Sequence, residues 1–448
     1  MKKIIPFLLF NLLVVHVTKG QDEASRIDSL LTKNTADAEF CGSLLVAKGK
    51  RIILKKGYGY SHEKQKIPND ENTVFNIASI TKTFTAALIL KLQEQGKLSV
   101  SDVLSKYYPG YPGGDKITIH HLLTHTAGIP DYLQQKEFQV VDQSKPVALE
   151  KMIAFFKDKP LLFEPGTAFR YSNSDYTLLG YIIEKITGAT YATALENYIF
   201  KPLHLNNTSY GPPQSKSLNT ATGYVLYYKN FQRASLVVDP SISYATGAIY
   251  STVNDLYKWH CALQTNKFLS KRSLSAAYTR DKGPYGYGWF TDSLYGRQRV
   301  SHDGNIPGFK SNINRFPQDD ICVIALSNAN NSGVGGIVRN VVNIVYHQPL
   351  TKSFADQPVI QLTEEVKKEY TGTYKWKKED TVQAVVYLKD SNLFMTLGNQ
   401  PAFEILPVFK DVFKAGEARI EFKRNKEQHV SEIWMFNKGE MAQVSRME

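Results

Sequence analysis

Ser79-Ile80-Thr81-Lys82-Thr83-Phe84-Thr85-Ala86-Ala87-Leu88-Ile89-Leu90-Lys91-Leu92, closed by Gly96, is the stretch on which the fold turns. Ile80, Phe84, Ala87, Leu88 and Leu92 recur at helical spacing, and Ile89 and Leu90 add apolar surface on the remaining faces. The pattern predicts a largely buried helix ended by a left-handed glycine cap. Ser79 and Lys82 stand three residues apart in its first turn, so a hydroxyl and an amine share one face. A serine hydroxyl is a weak nucleophile, and a lysine becomes its base when burial or a nearby cation lowers the amine pKa. Free N–H groups at the helix start can meet charge developing on a substrate oxygen. Ser61-His62-Glu63-Lys64 has the same S-x-x-K form but lies in a polar stretch without helical periodicity, so context favours Ser79.

Working outward, Cys41–Ala47 and Arg51–Leu54 flank Lys48-Gly49-Lys50 and read as a hairpin. Helices are predicted at 118–125, 147–157, 174–187, 251–263 and 334–347, with Pro165-Gly166 and Pro212-Pro213 among the punctuation. Strands return at Tyr285–Phe290, Arg297–His302, Phe309–Phe316 and Ile321–Ser327. Strands at both ends of a helical middle predict one mixed domain whose sheet is assembled from both ends of the segment. Beyond Pro349–Pro358, residues 382–388 and 393–397 flank Asp390-Ser391-Asn392, and Ile420 and Phe422 alternate with charged residues. We read 364–448 as a small all-β module, closed or nearly closed so that its short strands hide their edges. The expected division is a signal peptide at 1–20, a catalytic domain at 21–347, a linker at 348–363 and the barrel at 364–448.

The 448 residues carry 42% hydrophobic and 21% charged residues, which excludes disorder, collagen and long coiled coil. Lys2 and Lys3 precede the apolar Ile4–Val17, the pattern of a secretory leader, and no later run is long enough to span a bilayer. A periplasmic or secreted protein is expected, with no integral span once the leader is removed. The net charge of +12 is scattered and carries no nucleic-acid motif, leaving steering toward anionic wall polymers as its physical use. Cys41, Cys261 and Cys322 allow at most one disulfide and form no C-x-x-C spacing, so buried structural thiols are expected. No metal or cofactor is expected either: His121 and His125 are four apart, but the glutamate of H-E-x-x-H is absent.

Two further motifs gain meaning in combination. Tyr171-Ser172-Asn173 follows the Pro165-Gly166 turn and precedes a predicted helix, on a loop that a rigid element can aim. A tyrosine beside Lys82 would have its pKa lowered, because the cation favours the phenolate. His302-Asp303-Gly304 ends a predicted strand, and Gly304 would let a substrate lie close against the strand edge. Strand alternation points Asp303 away from His302; pointing inward, it would favour a substrate amine.

S-x-x-K, Y-x-N and H-x-G in this order resemble the serine class C β-lactamase and DD-peptidase family. The phrases Ile117–Gly128, Phe163–Thr167 and Gly247–Thr252 are similar to that family's, over roughly residues 25–347, and 364–448 resemble the lipocalin-like barrel that some members append. The resemblance implies an α/β fold of the α+β type: an antiparallel sheet flanked by helices, with an all-helical lobe and the site at their seam. It makes Ser79 the acylated nucleophile, Lys82 its proton partner, Tyr171 the shuttle to the leaving group and Asn173 a contact to the substrate amide. It makes His302 an orienting group that assists the tyrosine, and the N–H groups of Ser79 and Asn305 the oxyanion hole. Where β-lactamases carry Lys-Thr-Gly, His302-Asp303-Gly304 is similar to carboxypeptidase and esterase branches. The implied activity is hydrolysis, through an acyl-enzyme, of an amide or ester, foremost a D-amino-acid peptide derived from peptidoglycan. The alternatives are a penicillin-binding sensor acylated without efficient turnover and a β-lactamase.

Overall fold

The computed structural model describes residues 22–36, 39–213, 220–227, 230–234, 236–330, 333–351, 354, 357–376, 383–398, 402–415, 418–437 and 440–447. The leader predicted at 1–20 lies outside the described residues. The chain divides into two compact units, Met1–Val225 with Arg233–Val345 and Leu226–Gln232 with Tyr346–Glu448.

The first unit is built on β1 (Gly42–Lys48), β2 (Arg51–Tyr58), helix α1 (Thr81–Glu94), α2 (Ile119–Thr124), α3 (Asn173–Thr187), α4 (Pro240–Gly247) and α5 (Val253–Gln264). Strands β3 (Phe290–Leu294), β4 (Arg297–Ile306), β5 (Phe309–Phe316) and β6 (Ile321–Ser327) and helix α6 (Val334–Val345) complete it. The six strands form one antiparallel sheet in the order β3-β4-β5-β6-β1-β2. Chain beginning and chain end therefore meet at the β1–β6 pairing, from Gly42 opposite Ser327 to Lys48 opposite Ile321. Every residue of β6 is buried, so both of its faces are covered, as its continuous apolar run demands. α1 is buried from Thr81 through Leu90 because apolar residues occupy all its faces, and Phe84 stacks on Trp259 of α5 with centroids 4.4 Å apart.

One predicted strand is misplaced. Tyr285–Phe290 is a loop with a single bridge between its ends, and β3 begins at Phe290. Gly288 breaks the strand: its φ is +79°, and a Cβ there would come within 2.8 Å of Lys82 O and of Ala86 Cβ. The close approach to α1 requires the glycine and folds the chain away from extended geometry.

The second unit holds a nine-stranded antiparallel sheet running from Phe403–Glu404 through Asn392–Leu397, Gln383–Lys389, Gly372–Trp376, Glu440–Arg446, Val430–Asn437, Ala418–Arg424 and Val412–Ala415 to Leu406–Phe409. Its two outermost strands are separated in sequence only by Ile405, so the sheet curls until its ends nearly meet. Tyr374, Met395, Ile405, Phe413, Ile420 and Ile433 fill the interior. The three cysteines are free thiols; Cys41 and Cys322 are buried, whereas Cys261 is only half-buried, against the expectation for all three.

Candidate active site

Ser79 sits in a tight turn, Ala78–Ile80, that leads directly into α1. Ala78 has φ +46°, an unusual cost for a residue with a Cβ, and its N–H is held by Asn76 Oδ1 at 2.7 Å. The strained turn lifts Ser79 to a half-buried position while Ala78 and Ile80 on either side are buried.

Lys82 is fully buried, and its amine reaches three oxygens: Ser79 Oγ at 3.2 Å, Asn173 Oδ1 at 2.9 Å and Thr246 O at 2.9 Å. The last two accept only. A neutral amine that donates to both carbonyls has its lone pair left for the Ser79 hydroxyl, which is the geometry of a base. Burial pulls the Lys82 pKa down to about 7, against the negative charge that Asp131, and Asp175 when ionised, place nearby, which raises it. Thr246 O is available because α4 breaks at Tyr244 (φ 36°, ψ −127°), which aims Ala245 O at Thr85 Oγ1 (2.7 Å) and Thr246 O at Lys82.

Asn173 opens α3. Its Oδ1 accepts from Lys82 and its Nδ2 donates to Asp131 Oδ2 at 2.9 Å, so both ends of the amide are engaged by the protein. This places it as a brace for the lysine. Tyr171, two residues earlier, lies with its ring centroid 5.0 Å from Lys82 Nζ and stacked on Phe290 at 6.2 Å. Its pKa is raised, the reverse of the sequence expectation. Burial is the largest cause; the hydrogen bond it shares with the Ser79 side chain pulls the other way, and Asp131, Tyr132 and Asp303 add to the rise. Tyr171 therefore stays a phenol at neutral pH.

His302 is buried on β4. Its Nδ1 lies 2.7 Å from Asp303 O, so this nitrogen carries the proton, and Tyr285 O–H donates to Nε2 at 2.7 Å. The Tyr171 and His302 rings are 6.5 Å apart, and Tyr285 takes the partnership expected for Tyr171. Burial, then the charge of Lys82, holds the imidazole down to about 3, so it is neutral. Asp303 is exposed while its neighbours His302 and Gly304 are buried, and its carboxylate accepts from Asn312. Gly304 serves a different approach from the one expected: a Cβ would fall 2.4 Å from Ile77 O and 3.1 Å from Ala78 Cβ. The strand presses against the Ser79 turn itself, and Asn305 follows on the same strand, exposed.

Ser61 lies in a short strand, with its Oγ donating to Ile67 O at 3.2 Å, and is away from any helix start. His121 closes the capping box of α2, whereas His125 is fully buried against Asp175 at 2.9 Å, so the two rings serve separate tasks. Sequence reasoning missed Asp131, Thr246, His125, Asp175 and Tyr285 as participants. His125 lies within the phrase ending at Gly128, Thr246 just before Gly247, Asp175 within the helix predicted at 174–187 and Tyr285 at the start of a predicted strand, but none of these readings gave them a role at the site.

The Beta-lactamase sequence profile matches residues 28–346. A penicillin-binding protein of Bacillus subtilis (strain 168) is 28% identical over 428 residues, covering 90% of this chain and 94% of its own. Among solved structures, the octameric penicillin-binding protein homologue from Pyrococcus abyssi aligns with a TM-score of 0.67 at 25% identity, over 94% of this chain and 99% of its own. A D-stereospecific amidohydrolase from Streptomyces sp. gives 0.61 at 26% identity, over 70% and 97%. With a serine hydroxyl, a buried amine and a phenol gathered on the sheet-and-helix frame of such proteins, the chain belongs to the Beta-lactamase family and is a serine hydrolase of the β-lactamase/transpeptidase-like kind.

Proposed function

We propose that the protein hydrolyses an amide or ester of a D-amino acid through an acyl-enzyme on Ser79. The observation that carries this reading is the Lys82 amine, held by two acceptor-only oxygens and 3.2 Å from Ser79 Oγ. In this reading the Ser79 proton passes to Lys82 Nζ as Oγ bonds to the substrate carbonyl carbon. The N–H groups of Ser79 and Asn305 stabilise the oxyanion. Tyr171 gives its proton to the departing nitrogen or oxygen and is restored from the Lys82 ammonium. Water then cleaves the ester on Ser79 by the same groups in reverse. His302, uncharged, offers no attraction for a substrate carboxylate of the kind a lysine would supply, which favours peptidase, amidase or esterase chemistry over β-lactam hydrolysis. The Streptomyces neighbour acts D-stereospecifically on amides, which supports the substrate class. The leader-like N-terminus and the penicillin-binding relatives support an exported protein acting on peptidoglycan-derived peptides. Among the described residues no helix is long and apolar enough to cross a membrane.

Ser79→Ala should abolish covalent labelling by a fluorescent penicillin or fluorophosphonate, and Ser61→Ala should leave it intact. Labelling that survives Ser79→Ala would remove Ser79 from the mechanism. Mass spectrometry with D-Ala-D-Ala peptides, D-amino-acid amides, short acyl esters and β-lactams ranks the substrates. A burst without steady turnover on all of them would favour the penicillin-binding sensor.

A further inference from the structure

Beneath Tyr171 lies a buried acid and imidazole that acyl transfer does not touch. His125 and Asp175 are 0% and 1% exposed in their side chains, with Nδ1 and Oδ2 2.9 Å apart. His125 occupies the left-handed residue that ends α2, at φ +57°. From there it grips the backbone on both sides of Tyr171: its carbonyl accepts from Arg170 N–H at 3.0 Å, and its Nδ1 accepts from Ser172 N–H at 3.3 Å. Its ring packs 4.3 Å from the Tyr171 ring, 4.7 Å from Tyr285 and 5.0 Å from Tyr176, centroid to centroid.

The Ser172 contact decides the protonation. An Nδ1 that accepts from a backbone N–H carries no proton, so the 2.9 Å contact to Asp175 is a hydrogen bond only if the carboxyl carries one. We propose that His125 and Asp175 are positioning residues for the reaction, an uncharged acid–imidazole pair that clamps the Tyr171 segment so that its phenol meets Ser79. The inference rests on the acyl-enzyme reading above. Burial supports it from both sides, holding the Asp175 carboxyl well above the usual carboxylate range and the His125 imidazole well below the usual histidine value. The titratable groups facing the pair are Lys82 from α1, Tyr111 from the loop before α2, Tyr171 from its loop, Tyr176 from α3, Tyr285 from the loop before β3, His302 from β4 and Asp131 beside Asn173. An ionised Asp175 would raise the Lys82 pKa and leave less of the amine unprotonated at neutral pH; a neutral one keeps more of it free to accept the Ser79 proton.

The test uses the full chain and reads acylation rate, KM and pH profile with a chromogenic ester. Asp175→Leu removes the donor to Nδ1 and should lower the rate on the order of 10- to 100-fold with KM little changed, the cost of a misplaced phenol. Asp175→Asn keeps an N–H donor without charge. It should recover at least about tenfold of that loss, with the acid limb where the wild type has it. Asn as impaired as Leu, or a limb moved to lower pH by loss of a negative charge, would show an ion pair and overturn the proposal. A Leu variant at the wild-type rate would reduce the pair to packing and overturn it too. Where Asp175→Leu does not fold, His125→Phe preserves the ring packing and removes Nδ1; the same loss supports the pair and a wild-type rate refutes it. Dependence of labelling on Ser79 in the wild type reports on the acyl-enzyme reading separately from all of these.

Discussion

Lys82→Met should change how stability depends on pH, by an amount the structure sets. In the unfolded chain the amine titrates near 10.5; in the fold burial lowers this to about 7. Between those values the unfolded state holds a proton that the native state has released, so native stability rises with pH across that window. At 1.36 kcal/mol per tenfold, the wild type should gain about 2.3 kcal/mol relative to Lys82→Met between pH 7 and pH 9. The variant also strands Asn173 Oδ1 and Thr246 O, but that loss does not vary with pH and cancels from the difference. Lys82 is fully buried, so solvent does not screen this effect. Urea denaturation of both proteins at pH 7, 8 and 9 measures the divergence, and the rate of acylation of wild-type Ser79 should lose its activity as pH falls through the same value near 7. His302, held to about 3, does not titrate there. Stability curves that run parallel, or a kinetic limb displaced from the thermodynamic one, would refute the assignment of Lys82 as the base.

Tyr171→Phe removes the hydroxyl hydrogen-bonded to Ser79 and leaves the ring on Phe290; acylation by a fluorescent penicillin, whose departing lactam nitrogen needs a proton, should fall by about 10²- to 10⁴-fold with little change in thermal midpoint. A near-normal rate would take the phenol out of the proton path. Gly304→Ala drives a methyl toward Ser311 Oγ (2.1 Å), Ile77 O (2.4 Å) and Ala78 Cβ (3.1 Å). It should cost about 1–3 kcal/mol in urea denaturation and also slow labelling, because the displaced backbone carries Ser79. Loss of stability with labelling intact would show that β4 does not set the nucleophile's position.

Much of the scaffold was legible because its signals are local. The apolar residues around every face of Thr81–Leu92 announced a core helix, and the unbroken run Ile321–Ser327 announced a strand covered on both sides. Tyr285–Phe290 misled because alternation of Tyr and Gly imitates a strand, whereas Gly288 is there for its positive φ and its approach to Lys82 O. At the site, spacing foretold the contact between Ser79 and Lys82 because they stand three residues apart where the turn runs into the helix. It could not find Thr246, whose contribution is a main-chain carbonyl turned by a backbone break at Tyr244, since a carbonyl leaves no mark in sequence. Nor could it assign Asn173 to Lys82 and Asp131, because those contacts close across 91 and 42 residues.

The reversed expectation for Tyr171 has a physical lesson for the chemistry. Adjacency to Lys82 argued for a phenolate, but that argument presumes a charged lysine in a medium that leaves the phenol hydrated. Desolvation acts on both groups at once, and it disfavours the charged form of each: the ammonium is pulled down to about 7 and the phenol is pushed up. A neutral amine then exerts little pull on its neighbour, so the two shifts are mutually consistent. In the proposed reaction one dry environment thus separates a base from an acid out of two groups whose ordinary pKa values nearly coincide. In that proposed reaction Lys82 takes the Ser79 proton and Tyr171 keeps its own until a leaving group needs it. Admitting water to these groups, as a small residue in place of Phe290 would do, should therefore move the two titrations toward each other, and the enzyme would lose its division of labour before it lost its fold.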